Sequence, residues 1–458
     1  MSRKLFYYNR ELDNMSQEEI SRLQDMKLRK QIKYNWDKSA FWRKKLQEAG
    51  AVPEDIRTVE DLRKLPILMT KDIERKSAAE SLEKYGHPFG MHLCCPVEDL
   101  TLVATTSGTT GIPTFSYVYT KKDVETTLEN GWSRRFRWVG IGKGDRVVFF
   151  FALGVYATTG TLFALRKLGA LPIDIDARAG TEILLQFIEL TRPKYFNCTP
   201  SLAEFLIERC SKIIDKNVGE FGFKGVMTTG EIGIAIPEIK RRIEEAYGCR
   251  AYDYWAPESH AIAISCDSDM YCGMHALCPD LDTSFDDLVD PESKKSIDIV
   301  DGAIGEMVHT SLDREACPVI RYAYGDVVQI FTKECPGCGF PGKRIKLLGR
   351  ADDMLIVKGV NVYPASIKNI VTKFEPHVTG NMRIVLKNPP PKVVPPLKLK
   401  VEHGKDIGLE ELQGLGDRIA KALHDKIKIR PEIEFVEPGT FPAESRKTPI
   451  FERTYENK

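Results

Sequence analysis

The residues best suited to chemistry crowd into one stretch, Thr105-Thr106-Ser107-Gly108-Thr109-Thr110-Gly111-Ile112-Pro113-Thr114. Glycines free the backbone to turn successive N–H groups towards one point, and hydroxyls add short donors to the same concavity. A phosphate chain is the natural guest. The stretch is not a P-loop, because no lysine follows the second glycine and the chain runs on into strand-forming residues instead of a helix. Leu102-Val103-Ala104 precede it and Phe115-Ser116-Tyr117-Val118-Tyr119 follow, both of strand type. A solvated hairpin shares this composition, so the remaining chain has to decide.

A second group could hold a metal. Cys335-Pro336-Gly337-Cys338 has the spacing in which two thiolates and a tight turn grip a tetrahedral ion. The partner pair has to come from elsewhere, and Cys266, Cys272, His275 and Cys278 are all in reach. Cys198, Cys210 and Cys317 lie in or beside apolar runs and read as plain buried thiols.

These groups need a scaffold. Ser16-Gln17-Glu18-Glu19 has capping-box spacing and opens a charged amphipathic segment reaching Gly50. Residues 1–100 read as a helical opening without chemistry. From Asp145 strands and helices alternate: strand-like Arg146–Ala152, Ala170–Ile175, Tyr195–Cys198 and Val226–Met227, helix-like Ala157–Leu168, Thr181–Leu190, Leu202–Ile214 and Pro237–Tyr247. Repeated βα units predict a layered α/β domain with mainly parallel sheets, and ligands at the carboxyl ends of its strands. The turns Asn197–Ser201 and Thr228–Gly233 are therefore where a nucleotide is expected. After Arg350 the pattern changes to a small α+β domain, with a helix near Leu409–Lys426, a strand at Glu432–Val436 and a proline-rich loop over Pro389–Pro396.

The 458 residues carry 66 basic and 65 acidic side chains, a balance that points to neither nucleic acid nor an anionic membrane. No apolar run is long enough to span a bilayer, and the start of the chain lacks a signal-peptide core. The expected location is the cytoplasm, where eleven cysteines would stay reduced.

Taken in order, the polar turns resemble the adenylate-forming enzymes, specifically the phenylacetate–CoA ligase branch. The likeness begins at Phe41-Trp42-Arg43-Lys44-Lys45-Leu46 and Leu62-Arg63-Lys64-Leu65-Pro66. It continues through Thr106–Gly111, Thr228-Thr229-Gly230-Glu231, Tyr254-Trp255-Ala256-Pro257-Glu258, Arg321-Tyr322-Ala323-Tyr324-Gly325-Asp326 and Leu348-Gly349-Arg350-Ala351-Asp352-Asp353-Met354. The resemblance implies domains at 1–351 and 352–458, the second a mobile lid turning about Asp352, with a zinc-stapled region over 260–345.

It also implies a reaction: a carboxylate attacks the α-phosphorus of ATP to give acyl-AMP and pyrophosphate, and the acyl group then passes to CoA. Thr106, Ser107, Gly108, Thr109, Thr110 and Gly111 would hold phosphates; Gly230, Glu231, Tyr254 and Trp255 would line the nucleotide. Asp326 would accept from the ribose hydroxyls, with Arg350 near the ribose or phosphate. Glu258 would hold Mg²⁺, and Lys447 would offset charge developing at the α-phosphate. The sequence departs from the family pattern at Arg446, where glycine is usual, at Tyr324, where threonine is usual, and at Trp255-Ala256-Pro257. Tyr156, Ala256 and Pro257 are the expected acyl wall, for an aryl or arylacetic acid. For the metal, the resemblance selects Zn²⁺ on Cys266, His275, Cys335 and Cys338, with Cys272 or Cys278 as a replacement ligand. It implies a homodimer. Another acceptor (a carrier-protein thiol or an amine) and a non-catalytic nucleotide sensor are the competing readings.

Overall fold

The Ser16 side chain accepts from the Glu19 N–H while Glu19 reaches back to the Ser16 N–H, and this reciprocal cap starts α1 (Gln17–Lys38). Ser39 ends α1 and caps α2 (Ala40–Glu48). Leu28, Ile32, Trp42 and Leu46 turn one apolar stripe inward, where all four are fully buried. A two-residue strand, β1 (Met69–Thr70), and α3 (Lys71–Tyr85) complete the opening. The computed structural model describes residues 7–105, 117–256, 263–358, 360–393, 395–405, 407–441 and 449–455.

β2 (Leu100–Ala104) and β3 (Tyr117–Thr120) pair antiparallel on either side of the hydroxyl-rich loop, whose residues 106–116 lie outside the described ones. α4 (Trp132–Trp138) leads to β4 (Arg146–Phe151). In β4, Val147, Phe149 and Phe151 enter one apolar cluster, while Val148 and Phe150 enter another. Successive strand residues point to opposite faces, so a strand covered on both sides has an unbroken apolar sequence. The covering helices are α5 (Tyr156–Lys167), α6 (Thr181–Thr191), α7 (Pro200–Ile214) and α8 (Pro237–Tyr247). They alternate with β5 (Leu171–Asp176), β6 (Tyr195–Cys198), β7 (Gly225–Thr228) and β8 (Arg250–Trp255), which are all parallel to β4.

Beyond β8 the sheet becomes antiparallel, a half that the βα pattern did not announce. It contains β9 (Ala263–Ser265), β10 (Met274–Ala276), β11 (Leu288–Val289), β12 (Ser296–Ile297), β13 (Ile304–His309), β14 (Tyr322–Phe331) and β15 (Arg344–Arg350). The order across the sheet is β12-β11-β13-β14-β15-β10-β9-β8-β7-β6-β4-β5. β1 adds to β14 in parallel, placing Met69 beside Tyr322 and Thr70 beside Ala323.

A separate core follows, built from Leu355, Ile367, Ile384, Leu399, Leu415 and Leu423 among others. Its elements are β16 (Leu355–Val357), β17 (Val360–Val362), α9 (Pro364–Val371), β18 (Val378–Leu386), β19 (Lys392–Val393), β20 (Lys398–His403), α10 (Leu409–Ile427), β21 (Glu432–Val436) and β22 (Phe451–Arg453). They make two small sheets, β17-β16-β19 and β21-β20-β18-β22. The proline-rich stretch is thus not all loop: Lys392 and Val393 pair with Ile356 and Val357. The whole is an α/β fold with a small α+β companion.

Candidate active site

A cavity of about 530 Å³ opens between the carboxyl ends of β7 and β8 and the smaller domain. Of the residues expected at a nucleotide, Gly230, Glu231, Tyr254, Trp255, Asp326 and Arg350 all line it, as do Ala256 and Asp352. Residues more than 120 positions apart in sequence meet there because β7 and β8 are neighbours and Asp326 sits opposite Arg350 on the β14–β15 ladder.

The centre of the constellation is the Asp326 carboxylate. Trp255 Nε1 donates to its Oδ2 at 2.9 Å and Arg350 Nη1 to its Oδ1 at 2.9 Å. Each oxygen keeps a further lone pair, so the carboxylate is held in place and still accepts. Arg350 is itself fixed, with Nη2 on the Tyr324 carbonyl and Nε on Asp352, both at 2.9 Å. That crossing needs Gly325, whose φ is +104° and whose missing Cβ would lie 2.6 Å from Arg350 Nη2. Trp255 and Tyr324, the two bulky departures from the family pattern, pack with their ring planes tilted by 36° and centroids 6.3 Å apart. They build this frame and do not obstruct it. Glu231 lines the cavity too, and its Oε1 accepts from the Ser201 N–H at 2.9 Å, joining the two expected turns.

Tyr156 is not among the lining residues. It is buried behind Tyr117, stacked on that ring at 4.3 Å, and accepts from Trp132 Nε1 at 2.9 Å. Tyr117, which the sequence did not single out, joins Tyr254, Trp255 and Tyr324 as an aromatic residue of the cavity wall. Thr106, Ser107, Gly108, Thr109, Thr110, Gly111, Pro257, Glu258 and Lys447 lie outside the described residues.

Sequence reasoning also passed over Asp253. It lines the cavity, is 6% exposed, and accepts from Tyr271 Oη at 2.9 Å. Burial pushes its carboxyl up to about 7, against the smaller lowering from Tyr271. An acid between Tyr252 and Tyr254 in an otherwise apolar strand was the available signal. Two residues of the supposedly inert opening, Lys71 and Arg75, line the cavity as well.

Behind this wall, Cys266, His275, Cys335 and Cys338 converge, with ligand atoms all within 4.8 Å of one another. Cys266 Sγ and Cys335 Sγ are 4.0 Å apart, and Cys338 Sγ and His275 Nε2 are 3.4 Å apart. Zinc–sulfur bonds of about 2.3 Å in a tetrahedron set sulfurs roughly 3.8 Å apart, so the donor set fits. His275 Nδ1 lies 3.1 Å from the Ile264 carbonyl, which fixes that nitrogen as the N–H and turns the Nε2 lone pair inward. Gly337 permits the knuckle, since a Cβ there would lie 2.5 Å from the Ser268 side chain. Cys278 points away, to the Gly131 carbonyl at 3.3 Å, and Cys272 contacts Ser268 Oγ at 3.8 Å.

This two-part α/β architecture, with a firmly held carboxylate in the cleft, belongs to the class of adenylate-forming enzymes: residues 359–452 match the family described as AMP-binding enzyme C-terminal domain. The chain is 30% identical over 371 residues to the phenylacetate-coenzyme A ligase of Pseudomonas putida, covering 80% of this chain and 77% of that one. It is 27% identical to the phenylacetate-coenzyme A ligase of Thermus thermophilus, over 95% of this chain and 96% of that one. The chain belongs to the phenylacetate–CoA ligase family. Among solved structures, 2-hydroxyisobutyryl-CoA ligase in its postadenylation state, in complex with R3-HIB-AMP, superposes with a TM-score of 0.84 at 25% identity, covering 98% of this chain and 93% of that chain. In its thioesterification state the same ligase gives 0.67 at 26% identity with the same coverage.

Proposed function

We propose that the protein is an AMP-forming acyl-CoA ligase that activates an aryl or arylacetic acid with Mg-ATP and passes the acyl group to CoA. The observation carrying this reading is the Trp255–Asp326–Arg350 frame in a cavity of about 530 Å³, large enough for a nucleotide and a small acid, in a chain of this family. Asp326 orients the ribose, and Tyr254 and Trp255 offer apolar faces to the base or acyl group. Asp253 offers a carboxyl that donates when protonated and accepts when ionised. Lys447 offsets the negative charge that builds on the α-phosphate as the carboxylate attacks. The Thr106–Gly111 loop holds the β- and γ-phosphates, and Glu258 supplies an oxygen ligand for Mg²⁺. Residues 352–458 then turn about Asp352 so that the CoA thiol can reach the acyl-AMP carbonyl.

Tyr117 gives the acyl side an aromatic wall, which supports an aromatic acid. The curated relatives act on phenylacetate and the solved ligase on 2-hydroxyisobutyrate, so both acids belong in the test. Zn²⁺ on Cys266, His275, Cys335 and Cys338 staples the β9–β10 strands to the loop between β14 and β15 and performs no chemistry. Eleven cysteines, all free, suit a cytoplasmic enzyme, and the family reading makes it a homodimer. Among the described residues no helix is long and apolar enough to cross a membrane.

The test is pyrophosphate release with Mg-ATP and a panel of aromatic and aliphatic acids, each with and without CoA, beside Lys447→Ala and Asp326→Asn. Release with one acid class is expected, reduced about 10²-fold or more in Lys447→Ala, as when a transition-state charge partner is removed. Silence of the wild type across the panel, with ATP bound, would sink the reading.

A further inference from the structure

We propose that Lys71 and Arg75 form a diphosphate-binding wall of the cavity, an inference that rests on the ligase reading and extends its site to the amino-terminal opening. The placement follows from three constraints. Thr70 lies beside Ala323 in the β1–β14 pairing, so Lys71, the next residue, enters α3 next to Tyr324 and close to Asp326. Tyr322 Oη donates to Glu74 Oε2 at 2.6 Å on the buried side of α3, which fixes the rotation of that helix. Lys71 and Arg75 are four residues apart, hence on one face, and both line the cavity.

The wall adds an ammonium and a guanidinium to a cavity that Glu231, Asp253, Asp326, Asp352 and Asp353 also line. An aryl acid presents one carboxylate, the adenosine moiety is neutral, and Arg350 is already committed to Asp326 and Asp352. Arg75 reaches Asp72 at 3.0 Å, but Asp72 is 81% exposed, and an ion pair open to water holds its partner weakly. Across the cavity Lys368 of α9 faces the same space from the smaller domain. An ammonium and a guanidinium on one wall, opposed by another ammonium, suit a group with several adjacent anionic oxygens. The reaction contains two such groups, the phosphates of ATP and the diphosphate of CoA. Binding at Lys71 and Arg75 breaks no bond; it would orient the chain and draw it into the cleft.

The experiment uses the full chain with Lys71→Met, Arg75→Gln and the charge-restoring Lys71→Arg. One arm reads KM for Mg-ATP and for the acid during pyrophosphate release, together with AMP affinity by calorimetry. A second reads KM for CoA in thioester formation from pre-formed acyl-AMP. The expected result is a rise of about tenfold in one diphosphate-bearing substrate's KM, with acid KM and AMP affinity within about twofold and recovery in Lys71→Arg. A rise confined to ATP assigns the wall to the ATP phosphates; a rise confined to CoA assigns it to the CoA diphosphate. Unchanged KM values for both, or an equal loss of AMP binding, would overturn the inference. If the wild type releases no pyrophosphate with any acid, inorganic pyrophosphate binding compared between wild type and variants still decides it: a drop sustains the wall without the ligase reading, and equal binding removes it.

Discussion

A single carboxyl shows how burial becomes a measurable property. Asp253 is held to about 7 because its charged form is desolvated. A raised folded pKa favours the protonated form, so its contribution to stability is fully present below about pH 4 and is lost as pH rises through 7. Ionising it above that costs the fold on the order of 4 kcal/mol. Asp253→Asn should therefore melt close to wild type at pH 5 and clearly above it at pH 8. A melting difference that stays flat between those two pH values would show that the cavity hydrates this group. The position was visible in the sequence as an acid inside a strand, whereas its role needed the cavity. Asp326 and Arg350 were legible outright, since a turn motif names them, but their joint frame with Trp255 required the strand register.

At the scale of elements, the Cys266–His275–Cys335–Cys338 cluster brings β9 and β10 against the turn between β14 and β15. Purified protein should carry one Zn²⁺ per chain, and Cys335→Ser should lose it and lower the melting temperature by at least about 5 °C. Cys278→Ser should keep the metal. Wild-type protein that stays metal-free after growth with zinc would end the assignment. The helix Pro237–Tyr247 and the strand Glu432–Val436 matched their sequence expectations to the residue, because proline, glycine and period mark their ends. The antiparallel half escaped notice for an equally physical reason. β9 to β12 are two or three residues long, too short to display any period, and are held by neighbours distant in sequence. Lys71 and Arg75 escaped for the same reason, since nothing local links α3 to β14.

Over the whole molecule, the two parts are joined by Arg242 of α8, which bonds Glu204 of α7 through Nε at 3.0 Å and Glu375 of the smaller domain through Nη1 at 2.8 Å. The overall arrangement superposes better on the postadenylation neighbour than on its thioesterification state, 0.84 against 0.67 at equal coverage. A contact present in one arrangement biases the equilibrium by its own strength, about 1 kcal/mol for a partly exposed pair, or roughly fivefold. Glu375→Gln should leave ATP affinity unchanged and speed thioester formation from pre-formed acyl-AMP by up to about fivefold if domain rotation limits that step; a slower step would show that the pair persists through transfer. The pairing of Met69 with Tyr322 carries a different consequence, one of time. During synthesis the opening helices leave the ribosome long before their partner strand exists, some 250 residues later. At about 5–20 residues per second the wait is roughly 10–50 s, during which Leu28, Ile32, Trp42 and Leu46 have no sheet to cover them. The nascent amino terminus is therefore a natural client for chaperones, and a slowly translated message would lengthen its exposure.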